Sequence, residues 1–417
     1  MIKQLRHKTR TSQYASNSSL TLTLNPPHHS QRQILNHPAR FKIAACGRRW
    51  GKTELGKIAI IRAAVQQNHR CWWLAPTKAM TDQIWRDIKD SLKHLPGAKL
   101  SETERRIDLA NGGMIAVRSA FSPDNLRGEG LDFAVLDEAA FMNPRAWNEV
   151  IRPMLVTTRG RALFLSTPNG RNWFWDLFRI GLDPEENEWA SFHFPTSAND
   201  RIDEEELKSI RRITPDHIWR AEYEAAFISA DNGVFRAIDQ AAAPAPYNQP
   251  QPGHAYIAGI DWGRSSDYTA IAVIDAANGK MVALDRFKDA SWNLQRRRLA
   301  NIVKRWRPQI VWAEANSIGE PNIEALNQAG LPVRPFYTTA KSKAPLIESL
   351  SLAIERNEIT LLDDPVLLAE LADYSLDRLP NGGYRYGAPP GRHDDTVIAT
   401  ALAWYGARFT GPHIAFA

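Results

Sequence analysis

From residue 41 onward, short apolar runs of β type alternate with segments of helical period, and this alternation limits the chain more than any other feature. "FKIAAC" (41–46), "CWWLAP" (71–76), "LDFAVLDE" (131–138) and "ALFLSTP" (162–168) read as strands, with helices over 52–67 and 78–93 between them. Strands separated by helices run parallel, in a sheet covered on both faces. The Asn-Gly-Gly of "LANGGMIAV" predicts a hairpin inserted in that sheet. The fold class expected is α/β, and a chain of 417 residues implies two domains.

The pattern breaks at "AIDQAAAPAPYNQPQPGH", residues 237–254, where Ala, Pro and Gln without periodicity predict an extended spacer. Beyond it, "AYIAGIDWG", "TAIAVID" and "KMVALDRF" give three strands joined by tight connections, with a turn at Asn278-Gly279. A helix near 293–306, the strand "IVWAEA" and a last helix from about Asp394 to Ala407 follow. The expected organisation is a basic disordered arm (1–27), a first domain (28–236), a linker (237–253), a second domain (254–408) and a short tail (409–417). The arm carries Lys3, Arg6, Lys8 and Arg10 without an acid. The net charge of +6 suits an anionic partner such as DNA. No apolar run is long enough to span a bilayer, and Cys46 and Cys71 form no disulfide framework, which fits a reducing cytoplasm.

"CGRRWGKT" lies between a strand and a helix, the context of a phosphate-binding loop. The first glycine of the usual spacing is replaced by Cys46. Gly51 permits close backbone approach, Lys52 reaches the β/γ-phosphates of ATP, Thr53 binds Mg²⁺ and Arg49 contacts phosphate. "LDFAVLDEAAF" ends a buried strand in Asp137-Glu138, an expensive pair unless it meets a cation or a reacting water. Asp137 is the expected Mg²⁺ ligand and Glu138 the base that orients the attacking water. Ser166-Thr167-Pro168 is placed beside the γ-phosphate, and Gln31 to read an adenine edge. Two arginines compete for the role of finger on the transferring phosphoryl group: Arg48 in cis or Arg127 from a neighbouring subunit.

In the second half, Asp261 ends "YIAGID", Glu314 ends "IVWAEA", and Asp394 and Asp395 open the last helix. Acids in the order first strand, fourth strand, C-terminal helix match the ribonuclease H-type nuclease arrangement. Such carboxylates repel unless two Mg²⁺ or Mn²⁺ ions neutralise them and activate water against a phosphodiester. Asp395 is slightly favoured over Asp394 as the ligand. His393 orients a ligand or caps the helix, and Asp267 reads as a turn residue rather than an outer acid.

A P-loop ATPase of ASCE/RecA-like type followed by an RNase H-like nuclease resembles the large terminase subunit of tailed double-stranded DNA bacteriophages. The likeness is carried by "SQRQIL", "CGRRWGKT", "LRGEGLDFAVLDEA", "LSTPNG", "RAEYEAAF", "GIDWG", "VWAEAN" and "HDDTVIATALA". In that family the loop commonly departs from standard spacing and carries an arginine. The resemblance implies ATP-driven translocation of double-stranded DNA into a procapsid and metal-dependent cutting of concatemers. It implies a small terminase subunit and a portal protein as partners, and a ring, commonly a pentamer, that is a monomer in solution. It places the protein in the host cytoplasm and transiently at the portal, not in the mature virion or a membrane. The short stretch after the last helix lacks a long portal-docking tail. The rival reading is a host or prophage helicase-nuclease of repair or defence. Such an enzyme would carry two motor lobes, and one phosphate loop is visible.

Overall fold

The structure is a computed structural model that describes residues 24–126, 128, 130–228, 233–263, 268–288, 291–316, 319–378 and 384–409. Arg127, Asp267, most of the basic arm and the tail beyond 409 lie outside the described residues.

The first domain is built on β1 (Phe41–Cys46), β2 (Arg70–Ala75), β3 (Lys99–Ser101), β4 (Arg106–Asp108), β5 (Met114–Ser119), β6 (Phe133–Asp137), β7 (Arg161–Ser166) and β8 (Trp189–Phe194). Their order across the sheet is β3-β4-β5-β2-β6-β7-β1-β8. The six strands from β5 to β8 are parallel, and β3 and β4 extend the edge antiparallel, as the Asn-Gly-Gly turn predicts. Alternate residues of β1 enter different cores: Phe41, Ile43 and Ala45 one, Ala44 and Cys46 the other. A strand buried on both faces must read as a continuous apolar run, and β1 does. Parallel alignment puts the C-terminal ends Cys46, Asp137 and Ser166 on one edge of the sheet.

Between the domains the expected free spacer is anchored. The helix Ile238–Ala241 leads into β9 (Ala242–Ala243). Tyr247 and His254 both bond the fully buried Asp275, and Arg305 donates to the Asn248 carbonyl. Val234 and Phe235 already pack in the core of the second domain, ahead of the boundary expected after residue 236. Aperiodic sequence hides these contacts because single polar and aromatic anchors leave no repeat.

The second domain contains β10 (Tyr256–Asp261), β11 (Tyr268–Asp275), β12 (Lys280–Lys288), β13 (Ile310–Glu314) and β14 (Val333–Phe336), in the order β12-β11-β10-β13-β14. β10 is antiparallel to β11 and parallel to β13, with Ile260 opposite Ala313, so Asp261 and Glu314 leave the sheet side by side. Two short pairings complete it: β15 (Leu361–Leu362) on β9, and the hairpin of β16 (Ser375–Arg378) and β17 (Tyr384–Gly387).

The helix Asp395–Phe409 crosses this sheet in close contact at Gly259. A Cβ on Gly259 would lie 2.1 Å from the Ala399 carbonyl oxygen and 2.4 Å from the Ala403 nitrogen. The missing side chain lets the helix backbone touch β10, which brings Asp395 to the Asp261 end of the strand. Gly259→Ala should therefore destabilise the second domain by about 1–3 kcal/mol and lower DNA cutting with it. Urea unfolding of the variant checks this; an unchanged midpoint would contradict the close packing.

Candidate active sites

The first site forms where β1 gives way to the helix Lys52–Gln67. Cys46 is still strand and is buried in the core, so the turn begins one residue later, at Gly47. A Cβ at Gly47 would lie 2.4 Å from Thr196 Oγ1 and 2.6 Å from the Tyr223 carbonyl oxygen. Burial pushes the Cys46 thiol up, so it remains a neutral packing group. Gly51, at φ 104°, makes the left-handed turn into the helix.

Neighbouring segments hold the loop at several points. Thr196 Oγ1 donates to the Arg48 carbonyl at 2.7 Å and Asn199 Nδ2 to that of Arg49 at 3.0 Å. Gln31 does not stand free for a base. Its Nε2 donates to the Gly51 carbonyl at 2.9 Å, and its Oε1 accepts from the His28 backbone at 3.0 Å. In this structure it is a clamp on the loop.

The chemistry-bearing side chains converge as expected. Lys52 is buried, 3.8 Å from Glu138 Oε1, and donates to the Cys46 and Gly47 carbonyls at 3.2 and 3.3 Å. Thr53 Oγ1 donates to Asp137 Oδ2 at 3.4 Å. Burial first, and Glu138 second, push the Asp137 carboxyl up to about 7 against the pull of Lys52 and Thr53. Asp137 Oδ1 is buried without a hydrogen-bond partner among the described residues. Glu138 stands at φ 52° in the left-handed region, where its Oε2 accepts from Ser166 Oγ at 3.2 Å and from Thr167 N and Oγ1 at 3.4 and 3.3 Å. The strained residue is thus the one aimed by the adjoining strand end.

Arg48 has an unforeseen partner. Its Nε lies 3.2 Å from Glu222 Oε2, and its backbone N–H donates to the Glu222 carbonyl at 2.6 Å. Glu222 is 2% exposed, and its other oxygen accepts from Tyr384 Oη, on β17 of the second domain, at 2.7 Å. The segment "RAEYEAAF" hinted at a domain end; nothing in a single sequence pairs its acid with a hairpin tyrosine.

In the second site Asp261, Glu314, Asp394 and Asp395 come together. Burial, then a side-chain hydrogen bond with Glu314, then the charges of Glu314, Asp395 and Asp394 hold the Asp261 carboxyl well above the carboxylate range. Lys343 Nζ is 3.3 Å from Asp394 Oδ2, whereas Arg286 and His393 lie 3.5 and 3.8 Å from Asp395 Oδ2. Both aspartates therefore face Asp261, each with its own cation. Sequence reading missed the supporting shell. Glu370 accepts from Thr396 N at 2.8 Å and pairs with Arg286 at 2.9 Å, and the Arg286 guanidinium covers the Tyr268 ring at 3.4 Å. Tyr374, fully buried beside the acids, has a hydroxyl without a hydrogen-bond partner among the described residues.

Hard oxygen donors and orphaned buried polar atoms at both clusters fit a divalent cation. Among the described residues no three acids, histidines or cysteines already stand as a coordination shell. Burial and like charge push the Asp137 and Asp261 carboxyls up, the strain that a bound cation would relieve.

Residues 43–241 match the family described as terminase large subunit, T4likevirus-type, N-terminal, and residues 258–404 match the terminase RNaseH-like domain. The large terminase subunit of Thermus virus P23-45 is 30% identical over 423 residues, covering 91% of this chain and 87% of that protein. That of Thermus phage G20c gives the same identity and coverage. A solved large terminase from a thermophilic bacteriophage shares the fold at TM-score 0.52 and 17% identity, over 91% of this chain and 98% of that one. The chain belongs to the large terminase subunit family, with a P-loop ATPase domain joined to an RNase H-like nuclease domain.

Proposed function

We propose that this protein is the motor and nuclease of a viral DNA-packaging machine, driving double-stranded DNA into a procapsid with ATP and cutting the concatemer. The observation that supports this most is the pair of acid clusters, one at the strand ends of each sheet, with Lys52 and Thr53 facing only the first. A helicase-nuclease gains no support: both halves of the chain match terminase domains.

In the ATPase site, Lys52, the Gly51 backbone and Arg49 bind and orient the phosphates, and Thr53 and Asp137 would hold Mg²⁺. Glu138, aimed by Ser166 and Thr167, takes the proton of the attacking water. The same contacts give Ser166 and Thr167 a route by which the γ-phosphate's departure reaches β7. Arg48 stabilises the transferring phosphoryl group in cis after leaving Glu222, or Arg127 does so from the next subunit; single substitutions assayed in mixed rings separate the two. In the nuclease site, Asp261, Glu314, Asp395 and Asp394 would hold two Mg²⁺ or Mn²⁺ ions. When bound, such ions neutralise the carboxylates, activate water and stabilise the leaving oxygen. Glu370, Arg286 and Lys343 keep the aspartates in place. His393 orients Asp395.

The finer setting is also part of the proposal: a small terminase subunit and a portal protein as partners, a pentameric ring only while packaging, and residence in the host cytoplasm. Among the described residues no helix is long and apolar enough to cross a membrane.

Glu138→Gln should lower ATP turnover by about 10²–10⁴-fold while leaving metal-dependent plasmid cutting intact. Asp261→Asn should abolish cutting and spare ATP turnover; a variant that loses both, or neither, contradicts two separate sites. Saturating Mn²⁺ should raise the melting temperature of the second domain by roughly 5–10 °C. The rise should be larger at pH 8 than at pH 5, because the ligand acids must first lose their protons, and absent in Asp261→Asn. In the first domain Asp137 makes a contribution of definite sign in the absence of metal. Its carboxyl titrates near 7 when folded, above its unfolded value, so its contribution to stability is complete in acid and is lost as pH rises through 7. Scanning calorimetry across pH, with and without Mg²⁺, tests both statements.

A further inference from the structure

At the opposite edge of the ATPase sheet lies a cavity of about 250 Å³ that none of the chemistry above uses. Its wall includes His37, Arg40, Lys42, Arg62, His69 and Arg161, and no Asp or Glu lines it. Lys42 is the second residue of β1 and Cys46 the last, so about 13 Å of strand separates this cavity from the phosphate loop. The loop contributes no residue to the wall.

Lys42 and Arg161 are hydrogen-bonded but not neutralised. Lys42 Nζ donates to the Ile34 and Leu35 carbonyls, at 2.7 and 3.2 Å, at the end of the helix His29–Asn36. Arg161 donates to the Pro38 and Ala39 carbonyls at 2.6 and 2.9 Å. Carbonyl oxygens satisfy N–H groups and return only part of a charge. Arg40 alone has a carboxylate, Glu188, at 3.1 Å. Arg62 makes no hydrogen bond or ion pair with a described residue, and His69 Nδ1 is buried without a hydrogen-bond partner among them.

The groups that can shed charge respond accordingly. Burial, then Arg161 and Arg62, hold the Lys42 ammonium down to about 8, and no acid opposes them. Burial and Lys42 push His37 down as well. Apart from Glu188 beside Arg40, no carboxylate among the described residues pairs with this wall. Guanidinium forks beside an ammonium suit an anion with several equivalent oxygens better than a single carboxylate.

We propose that this cavity is a second phosphate-binding site, independent of the nucleotide loop, which takes a phosphoryl group through Lys42, Arg62 and Arg161. The group is either free, as inorganic phosphate or pyrophosphate, or carried on a DNA backbone; the two sources separate by experiment.

Arg62 is the residue to change, because reversing its charge breaks no bond within the fold and relieves repulsion on Lys42. Full-length Lys52→Ala protein, with its nucleotide loop disabled, is titrated with pyrophosphate by calorimetry and with a short DNA duplex over a range of salt. The same protein carrying Arg62→Glu is compared, with Arg179→Glu, on the exposed side of another helix, as the control for net charge. Pyrophosphate binding that weakens at least tenfold in Arg62→Glu, but not in Arg179→Glu, assigns the site to a free phosphate. Pyrophosphate without effect, together with a tenfold loss of DNA affinity and a salt slope shallower by about one only in Arg62→Glu, assigns it to the backbone. If neither ligand distinguishes Arg62→Glu from the control while its melting temperature is unchanged, the proposal is overturned. Loss of the fold is monitored by that melting temperature, and Arg62→Gln repeats the comparison if the reversal lowers it.

Discussion

Both halves of this protein place negative side chains where the surrounding protein cannot fully neutralise them. Asp137 and Asp261 close apolar strands inside their sheets, and each has a second acid beside it, Glu138 and Glu314. Removing a carboxylate from water costs several kcal/mol unless opposite charge or a proton compensates. Lys52 supplies part of that compensation in the first cluster, and Lys343 and Arg286 part of it in the second. The remainder is left to what binds. This is why the Asp137 and Asp261 carboxyls are pushed up, and why divalent cations suit the two clusters. The strain at Glu138 and the bare Gly259 are further costs of bringing these groups together.

The two clusters are physically joined. Glu222, at the end of the ATPase domain, is too deeply buried to stand alone and is satisfied from both sides: by Arg48 of the phosphate loop and by Tyr384 of the nuclease hairpin. The hairpin's other strand follows Tyr374, whose ring lies beside the second set of acids. His217, five residues before Glu222 in the same helix, lies 3.3 Å from Tyr386 Oη, and Asp216 N–H bonds Glu355. The seam between the domains is therefore made of polar groups with defined partners, and any nucleotide that draws Arg48 away changes what Glu222 can hold. Buried charge pairs shared between two bodies set geometry more than they add stability.

What was legible in the sequence follows from periodicity and from the rule that parallel strands end on a common edge. "FKIAAC" and "FAVLD" had to be buried strands, so Lys52, Thr53, Asp137 and Glu138 had to meet; "YIAGID" and "IVWAE" did the same for Asp261 and Glu314. The order of those acids suggested the nuclease, the family likeness added the packaging role, and the domain matches agree with both. The spacer was legible as a break in pattern but not as a packed segment, because Tyr247 and His254 reach Asp275 as isolated side chains. Gln31 was read as placed for an adenine edge; its contact with the Gly51 carbonyl was not legible.

The sequence by itself determined the two-domain α/β plan and the strand-end acids, since both are written in local hydrophobic period and chain order. Only the tertiary structure decided which distant charges share an environment: Arg48 with Glu222 and Tyr384, Arg286 with Glu370 and Asp395, and the unneutralised cations Lys42, Arg62 and Arg161 below the sheet. Electrostatic energy depends on separation in space and on burial, and neither is a function of position along the chain until the sheets have formed.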